Sequence, residues 1–217
     1  MTETKSEPAG VVPTESVGFS KARMESLVDG VYAFGMTLLV LGIGYPTEVP
    51  MIATGGSVYQ YLVSQVPDLI HYVIAFLVLA GFWVMHHMQS HFIRQIDRMF
   101  LWINIFALLF VALIPFSSAL AGDFPFDTLA SVWFEGNLLI VGLLYSAQWW
   151  YATTDGRLIN PSTGKQEIRH GRWLAITIPA FSVAGILLAI LGIPYSAAVY
   201  LCVPVIFFVH ITHYHRR

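Results

Sequence analysis

The sequence predicts an all-α membrane protein with six transmembrane helices, and two observations support that fold class. Of the 217 residues, 56% are apolar and only 11% are charged, whereas soluble globular domains carry about 25% charged residues. Apolar stretches of about 20 residues, enough to cross a bilayer as a helix, recur along the chain between polar breaks. Lipid offers the backbone no hydrogen-bond partners, so each stretch must be helical. This composition excludes a disordered chain, a nucleic-acid-binding protein and an ordinary cytosolic enzyme.

The predicted spans follow a polar tail. Residues 1–20 are polar and mildly acidic, which predicts a flexible tail and not a secretory signal. The predicted helices cover residues 26–45, 69–88, 99–121, 129–151, 173–193 and 195–213. Residues 21–217 then form one transmembrane domain with no room for a soluble catalytic domain, so we predict that the protein is not an enzyme.

Proline and glycine mark the joints between the spans. Gly44-Tyr45-Pro46 ends the first span, and Gly192-Ile193-Pro194 turns the chain between the fifth and sixth. The loop at 46–68 contains an apolar stretch that predicts a short interfacial helix. Pro115 predicts a kink near the end of the third span. Asp155-Gly156 predicts a turn in the connection between the fourth and fifth spans.

The basic residues predict the orientation of the chain. All eleven lysines and arginines lie before the first span, between the second and third, between the fourth and fifth, or at the C-terminus. Lysine and arginine accumulate on the cytoplasmic side of membrane proteins, so both termini are predicted to be cytoplasmic. The opposite loops carry only acids, namely Glu48, Asp68, Asp123 and Asp127. The predicted location is a cell membrane.

Ionisable groups inside a span are costly, at about 2.5–3.5 kcal/mol near the bilayer centre, so each requires a partner. Asp29 in the first span is predicted either to be a hydrated carboxylate at the helix end or to pair with Arg23, His86 or His87. Arg23 lies six positions from Asp29 and therefore on another helix face, so it is expected to reach a different helix or subunit.

Three further polar residues lie inside predicted spans. Asn104 is predicted to form a hydrogen bond between packed helices, with a modest energy of about 0.6 kcal/mol. Glu135 and Asn137 lie toward the outer end of the fourth span, and they are predicted to be membrane-interface anchors or residues of a channel mouth.

The histidines allow two alternative interpretations. His86, His87 and His91 suggest a membrane metalloenzyme, because imidazole is the commonest transition-metal ligand. The other histidines are scattered and no H-E-x-x-H motif occurs, so structural hydrogen bonding is favoured. A proton-coupled carrier that uses Asp29 together with the histidines is the second alternative.

One apolar stripe runs along the first span. At helical spacing, Val31, Phe34, Leu38 and Leu41 share a face, with Thr37 along its edge. Stripes that face lipid, a neighbouring helix or a pore look alike in sequence. No glycine-rich carbonyl filter is present, so ions crossing here would have to pass side chains at an apolar constriction.

A set of motifs in the first three spans matches a known family. The matching positions are Arg23-x5-Asp29-Gly30-Val31, Thr37-Leu38-Leu39-Val40-Leu41, Trp83-x2-His86-His87, Phe92, Ile96, Asp97, Asn104 and Pro115-Phe116. In these positions the chain resembles the transmembrane protein 175 family of potassium channels. The resemblance covers roughly residues 20–120, with Leu27-Val28-Asp29 where the family has Phe-Ser-Asp.

The resemblance implies a potassium-selective leak channel in a prokaryotic cytoplasmic membrane. It implies a homotetramer in which the first helix of each subunit lines the pore, with no cofactor besides the permeant potassium ion and with lipid as the other partner. It assigns the constriction to Phe34, Leu38 and Leu41, and a polar layer to Thr37. It also implies a supporting polar network, made of Arg23, Asp29, Trp83, His86, His87, Asp97 and Asn104.

Overall fold

The computed structural model describes residues 20–43 and 58–203. Within these ranges the chain is helical, and the β-type pairing is limited to an isolated bridge between Ile93 and Ile159. Four predicted features lie wholly or partly outside the described residues: residues 1–19 of the tail, the end of the first span at Gly44-Tyr45-Pro46, residues 46–57 of the outer loop and residues 204–213 of the sixth span.

Helices of membrane length are described for five of the six predicted spans, and those of the first and fifth spans begin five and eight residues earlier than predicted. The described helices are α1 (Lys21–Leu38) with a 3-10 turn (Leu39–Gly42), α2 (Val58–Ser64), α3 (Val66–Phe92), α4 (Arg98–Ala112), α5 (Ile114–Asp123), α6 (Thr128–Thr153) with a 3-10 turn (Thr154–Gly156), α7 (Lys165–Ile190) and a 3-10 helix (Ser196–Leu201). Helices α4 and α5 form one span, and five spans of 22 to 29 residues are long and apolar enough to cross a membrane. At 1.5 Å per residue the shortest measures about 33 Å, which exceeds the hydrocarbon thickness of about 30 Å.

The third span is interrupted where the sequence predicts a kink. Helix α4 ends at Ala112 and α5 begins at Ile114, with Pro115 in the first turn of α5. Proline has no N–H to continue the helical hydrogen bonds, so the break falls at this point. The effect predicted for Pro115 is therefore seen as a break between two helices of the same span.

Helices α6 and α7 form the most extensive helix pair in the described part of the chain, and a proline is built into it. Pro179 lies inside α7 and cannot bond the carbonyl of Ala175 four residues earlier. The Ser146 hydroxyl of α6 donates to that carbonyl at 2.8 Å. A neighbouring hydroxyl is one of the groups that make a proline tolerable in a membrane helix.

Glycine lets the two backbones approach at this place. A Cβ built on Gly142 would lie 2.7 Å from both Cγ and Cδ of Pro179, closer than carbon atoms can pack. The residue must therefore be glycine for α6 and α7 to keep their separation.

The start of the predicted sixth helix differs from the expectation. The predicted turn at Gly192-Ile193-Pro194 is present, with Gly192 and Tyr195 in the left-handed region at φ 74° and 56°. Ser196–Leu201 then winds as a 3-10 helix, not as the first turns of an α-helix from residue 195. The tighter winding follows directly on a left-handed residue, which cannot belong to an α-helix.

The prediction for Glu135 and Asn137 is wrong with respect to exposure. Glu135 is fully buried and Asn137 is 7% exposed, so neither is an interface anchor on the surface of the subunit. Both face neighbouring elements, since Glu135 lies against Gly185 of α7 and Asn137 donates to the Ser117 hydroxyl of α5 at 3.2 Å. The hydropathy pattern of α6 could not show which of its faces α5 and α7 cover.

Candidate functional site

Helix α1 has one buried and one exposed face. Its buried side chains belong to Met24, Val28 and Tyr32, which pack toward α3 and α4. On the other side, Phe34 is 64% exposed and Leu41 is 56% exposed. Such large apolar side chains, left uncovered by their own subunit, form a surface that lipid or another copy of the chain must cover.

The other predicted constriction residues lie at the border of this face. Leu38 and Val31 are half-buried, and Thr37 is exposed. The Thr37 hydroxyl donates to the backbone carbonyl of Phe34 at 2.8 Å. With its proton used in that bond, the hydroxyl oxygen keeps its lone pairs free to accept from water or to face a cation.

Asp29 bonds Trp83, a residue of the polar network that the resemblance implies. Its Oδ1 accepts the indole N–H of Trp83 at 2.9 Å, and within the subunit this bond replaces the alternative pairing with Arg23, His86 or His87. The Asp29 side chain is exposed, as the alternative of a hydrated carboxylate at the helix end predicts. The Trp83 ring in turn stacks on His87, with ring centroids 5.7 Å apart. Asp29 lies on α1, Trp83 and His87 on α3, and the contact therefore fixes one helix against the other.

A second polar group holds the buried face of α1. The Tyr32 hydroxyl donates to the Tyr145 hydroxyl of α6 at 2.9 Å, and the His86 ring packs edge-on against Tyr145. The side-chain amide of Asn104 bonds Nε2 of His86 at 3.2 Å, which confirms Asn104 as a hydrogen bonder between helices. The two tyrosines were not predicted; only the spacing of Tyr32 from Val28, four residues earlier, marks it as part of the buried stripe.

Asp97 forms its hydrogen bonds at the start of α4 and with Tyr151, and not with the residues that hold α1. Its Oδ1 accepts the Phe100 backbone N–H at 2.9 Å, which caps the helix, and its Oδ2 accepts the Tyr151 hydroxyl at 2.7 Å. The Arg157 guanidinium lies over the Tyr151 ring, 4.7 Å from its centroid. The interaction with Tyr151 raises the pKa of Arg157 above its ordinary value.

Lysine, not arginine, anchors the beginning of α1. The Lys21 ammonium donates to the carbonyls of Ser90 and Ile93, at 2.7 and 2.8 Å, where α3 ends. Arg23 is exposed and makes no hydrogen bond or ion pair with residues 20–43 or 58–203. The predicted network therefore divides into separate hydrogen-bonded and stacked clusters: Asp29 with Trp83 and His87, His86 with Asn104, and Asp97 with Tyr151 at the start of α4.

The histidines of the metalloenzyme alternative have separate surroundings. His86 bonds Asn104, His87 stacks on Trp83, and His91 packs edge-on against Phe92. Among the described residues, no three His, Cys, Asp or Glu side chains are arranged to hold a metal ion.

The helices and their contacts define a class of protein. Five membrane-length helices, polar clusters inside the bundle and an uncovered apolar face on α1 are the features of a polytopic membrane protein whose first helix is completed by lipid or by other subunits.

Comparison with known proteins gives the family. The family profile described as "Endosomal/lysosomal potassium channel TMEM175" matches residues 23–115. The chain is 31% identical over 143 residues to a potassium channel of Streptomyces collinus, covering 64% of this chain and 68% of that one. It is 28% identical over 188 residues to a potassium channel of Chamaesiphon minutus, covering 82% and 91%. The chain belongs to the TMEM175 family.

Solved structures agree with the fold. The crystal structure of a lysosomal potassium-selective channel TMEM175 homologue from Chamaesiphon minutus superposes with a TM-score of 0.72 at 24% identity, covering 90% of this chain and 97% of that chain. At this identity the likeness shows that the two chains share a fold.

Proposed function

We propose that this chain is the subunit of a potassium channel, in which the exposed faces of α1 from several copies surround a shared aqueous axis. The observation that carries the proposal is the exposure of Phe34 and Leu41, which face away from their own subunit on the helix where the family match begins. Four copies around the axis are the assembly that the family resemblance implies.

The proposed constriction acts by partial dehydration. Phe34, Leu38 and Leu41 offer no oxygen to a passing ion, so an ion must shed water to cross their rings. Thr37 provides oxygen lone pairs next to this apolar zone. Potassium is larger than sodium and holds its water less tightly, so the same partial dehydration costs potassium less free energy.

Contacts on the opposite face support this function by fixing α1. Tyr32 is bonded to α6 and Asp29 to α3, while Lys21 caps the end of α3. A pore helix held on its protein side at three points along its length keeps its rings at a constant distance from the axis.

The two ends of the bundle suit cation passage in a cell membrane. Asp68, Asp123 and Asp127 lie at the end predicted to face outward. They raise the local cation concentration over the screening distance of about 8 Å at physiological salt. We place the basic end, with the loops that follow α3 and α6, on the cytoplasmic side.

Current measurements on the purified protein test this function. With reconstituted protein in a planar bilayer and potassium on one side, sodium on the other, the proposal predicts discrete current steps and a reversal potential displaced from zero in the direction that a higher potassium permeability gives. Saturable, pH-driven flux without current steps contradicts it and favours the carrier alternative.

Thr37→Ala is expected to move the reversal potential toward zero under these conditions, because it removes the only side-chain oxygen assigned to the narrow zone. Thr177→Ala is the matched control: Thr177 of α7 makes the same kind of bond, to the carbonyl four residues earlier at 3.0 Å, but lies away from α1. A reversal potential that Thr37→Ala leaves unchanged contradicts the role of Thr37.

A further inference from the structure

Glu135 is a buried carboxyl group that the proposed pore does not use. It lies on α6, eight residues into the helix, and its side chain is fully buried. The Ser196 hydroxyl donates to Oε1 at 2.5 Å. The other oxygen, Oε2, is buried and has no hydrogen-bond partner among the described residues.

The carboxyl group lies in a space between α6, α7 and the 3-10 helix Ser196–Leu201. On α7, Gly185 faces it, and a Cβ at that position would lie 2.6 Å from its carboxyl carbon and 2.8 Å from both oxygens. Only a residue without a side chain leaves room for the carboxyl group there. The 3-10 helix that follows α7 closes the space with Ser196.

The groups near Glu135 are hydroxyls and one imidazole. Besides Gly185, α7 contributes Ser182, whose hydroxyl donates to the Ile178 carbonyl at 3.0 Å. Tyr200 of the 3-10 helix is the titratable neighbour, and its phenol donates to Ser182 at 2.9 Å and not to Glu135. From α3, His71 packs edge-on against the adjacent ring of Phe134 and bonds the Pro67 carbonyl.

No cation compensates Glu135 in residues 20–43 and 58–203. The ion pair found there joins Lys21 to Glu25 at the far end of the bundle. The lysines and arginines of these ranges lie in the loops at that end or within about two turns of it along the helices. Glu135 lies about 10 Å along α6 from its opposite, acidic end, at 1.5 Å per residue.

We propose that Glu135 is a proton-binding site, occupied at neutral pH and separate from the pore. A proton taken from water binds Oε2 and converts the carboxylate to a neutral carboxylic acid, while Oε1 continues to accept from Ser196. Burying a neutral O–H without an acceptor is far less costly than burying a charge without a counter-ion, in protein as in lipid. The site joins α6, α7 and the C-terminal 3-10 helix, so its proton stabilises the packing at the acidic end of the subunit.

Infrared spectroscopy of the full chain reconstituted in lipid tests this directly. At pH 7, the spectrum of the wild type minus that of Glu135→Gln is expected to contain the carbonyl stretch of a protonated carboxylic acid. The matched control is Glu25→Gln, which removes a carboxyl group paired with Lys21 at 3.5 Å and is expected to remove carboxylate bands instead. Carboxylate bands in the Glu135 difference overturn the proposal.

Ser196→Ala provides a second test that retains Glu135. It removes the hydroxyl that donates to Oε1, so the acid carbonyl band is expected to shift to higher frequency without losing intensity. An acid carbonyl region identical to that of the wild type overturns the proposal. Neither outcome depends on ion conduction, so failure here is distinct from failure of the proposed channel function.

Discussion

Phe34→Ser is expected to raise the potassium conductance of single channels. The phenyl ring is the bulkiest group in the proposed constriction and stands 64% exposed on α1. The smaller serine side chain widens the proposed constriction, and its hydroxyl offers an oxygen to the ion. Both effects lower the free-energy barrier of dehydration. A reduction of about 1.4 kcal/mol corresponds to a tenfold faster rate, so we expect an increase of about threefold to tenfold. Single-channel recordings in symmetric potassium measure it.

Phe106→Ser is the matched control for this experiment. Phe106 is 51% exposed on α4, so the same change is made at another largely exposed phenylalanine, outside α1. We expect its conductance to equal that of the wild type. Equal conductance of the Phe34 variant and the wild type would place Phe34 outside the ion path.

Gly142→Ala is expected to lower the free energy of unfolding by about 1–3 kcal/mol, the usual cost of overfilling a packed interior. The added methyl group would lie 2.7 Å from two ring carbons of Pro179 and 3.2 Å from its nitrogen. The proline ring is rigid, so α6 and α7 must separate to accept it. The separation also weakens the bond from Ser146 to the Ala175 carbonyl. Denaturant unfolding in detergent micelles measures the change.

Gly136→Ala provides the control on the same helix. A Cβ at Gly136 meets nothing within 4 Å, and alanine is a better helix former than glycine by up to about 1 kcal/mol. We expect this variant to be as stable as the wild type or more stable. Equal losses for the two variants would mean that the contact between Gly142 and Pro179 does not set the helix separation.

The sequence predicted the features of the fold that depend on local composition. The five described spans follow from runs of apolar residues, the break at Pro115 from a missing N–H, and the turn at Asp155-Gly156 from residues that accept positive φ. Each of these features is decided within a few residues, and neighbouring helices need not be known.

The polar partners required the tertiary structure. Asp29 and Trp83 are 54 positions apart, and Tyr32 and Tyr145 are 113 apart. Many polar residues lie at the right depth to pair with them, and only the packing of the helices selects among them. Glu135 was misjudged for the same reason, since its position near the end of a span gave no sign that Gly185 leaves space for it.

The exposed face of α1 could be predicted only in part. Helical spacing predicted that Phe34, Leu38 and Leu41 share a face, and the structure leaves Phe34 and Leu41 largely uncovered while Leu38 is half-buried. What covers this face in the membrane is a property of the assembly, which periodicity within one chain does not encode.

Thiol accessibility on α1 is the measurement that tests the central claim most directly. In a Cys202→Ser background, which removes the single native cysteine, cysteine is introduced at Phe34, at Leu41 or, as a control, at Leu109, which is 55% exposed on α4. A charged, water-soluble thiol reagent needs an ionised thiol in contact with water. The account predicts that the reagent blocks potassium current through the Phe34→Cys and Leu41→Cys channels and leaves Leu109→Cys unaffected. Current that persists in all three variants, with their thiols unmodified, would contradict it and place this face of α1 in lipid.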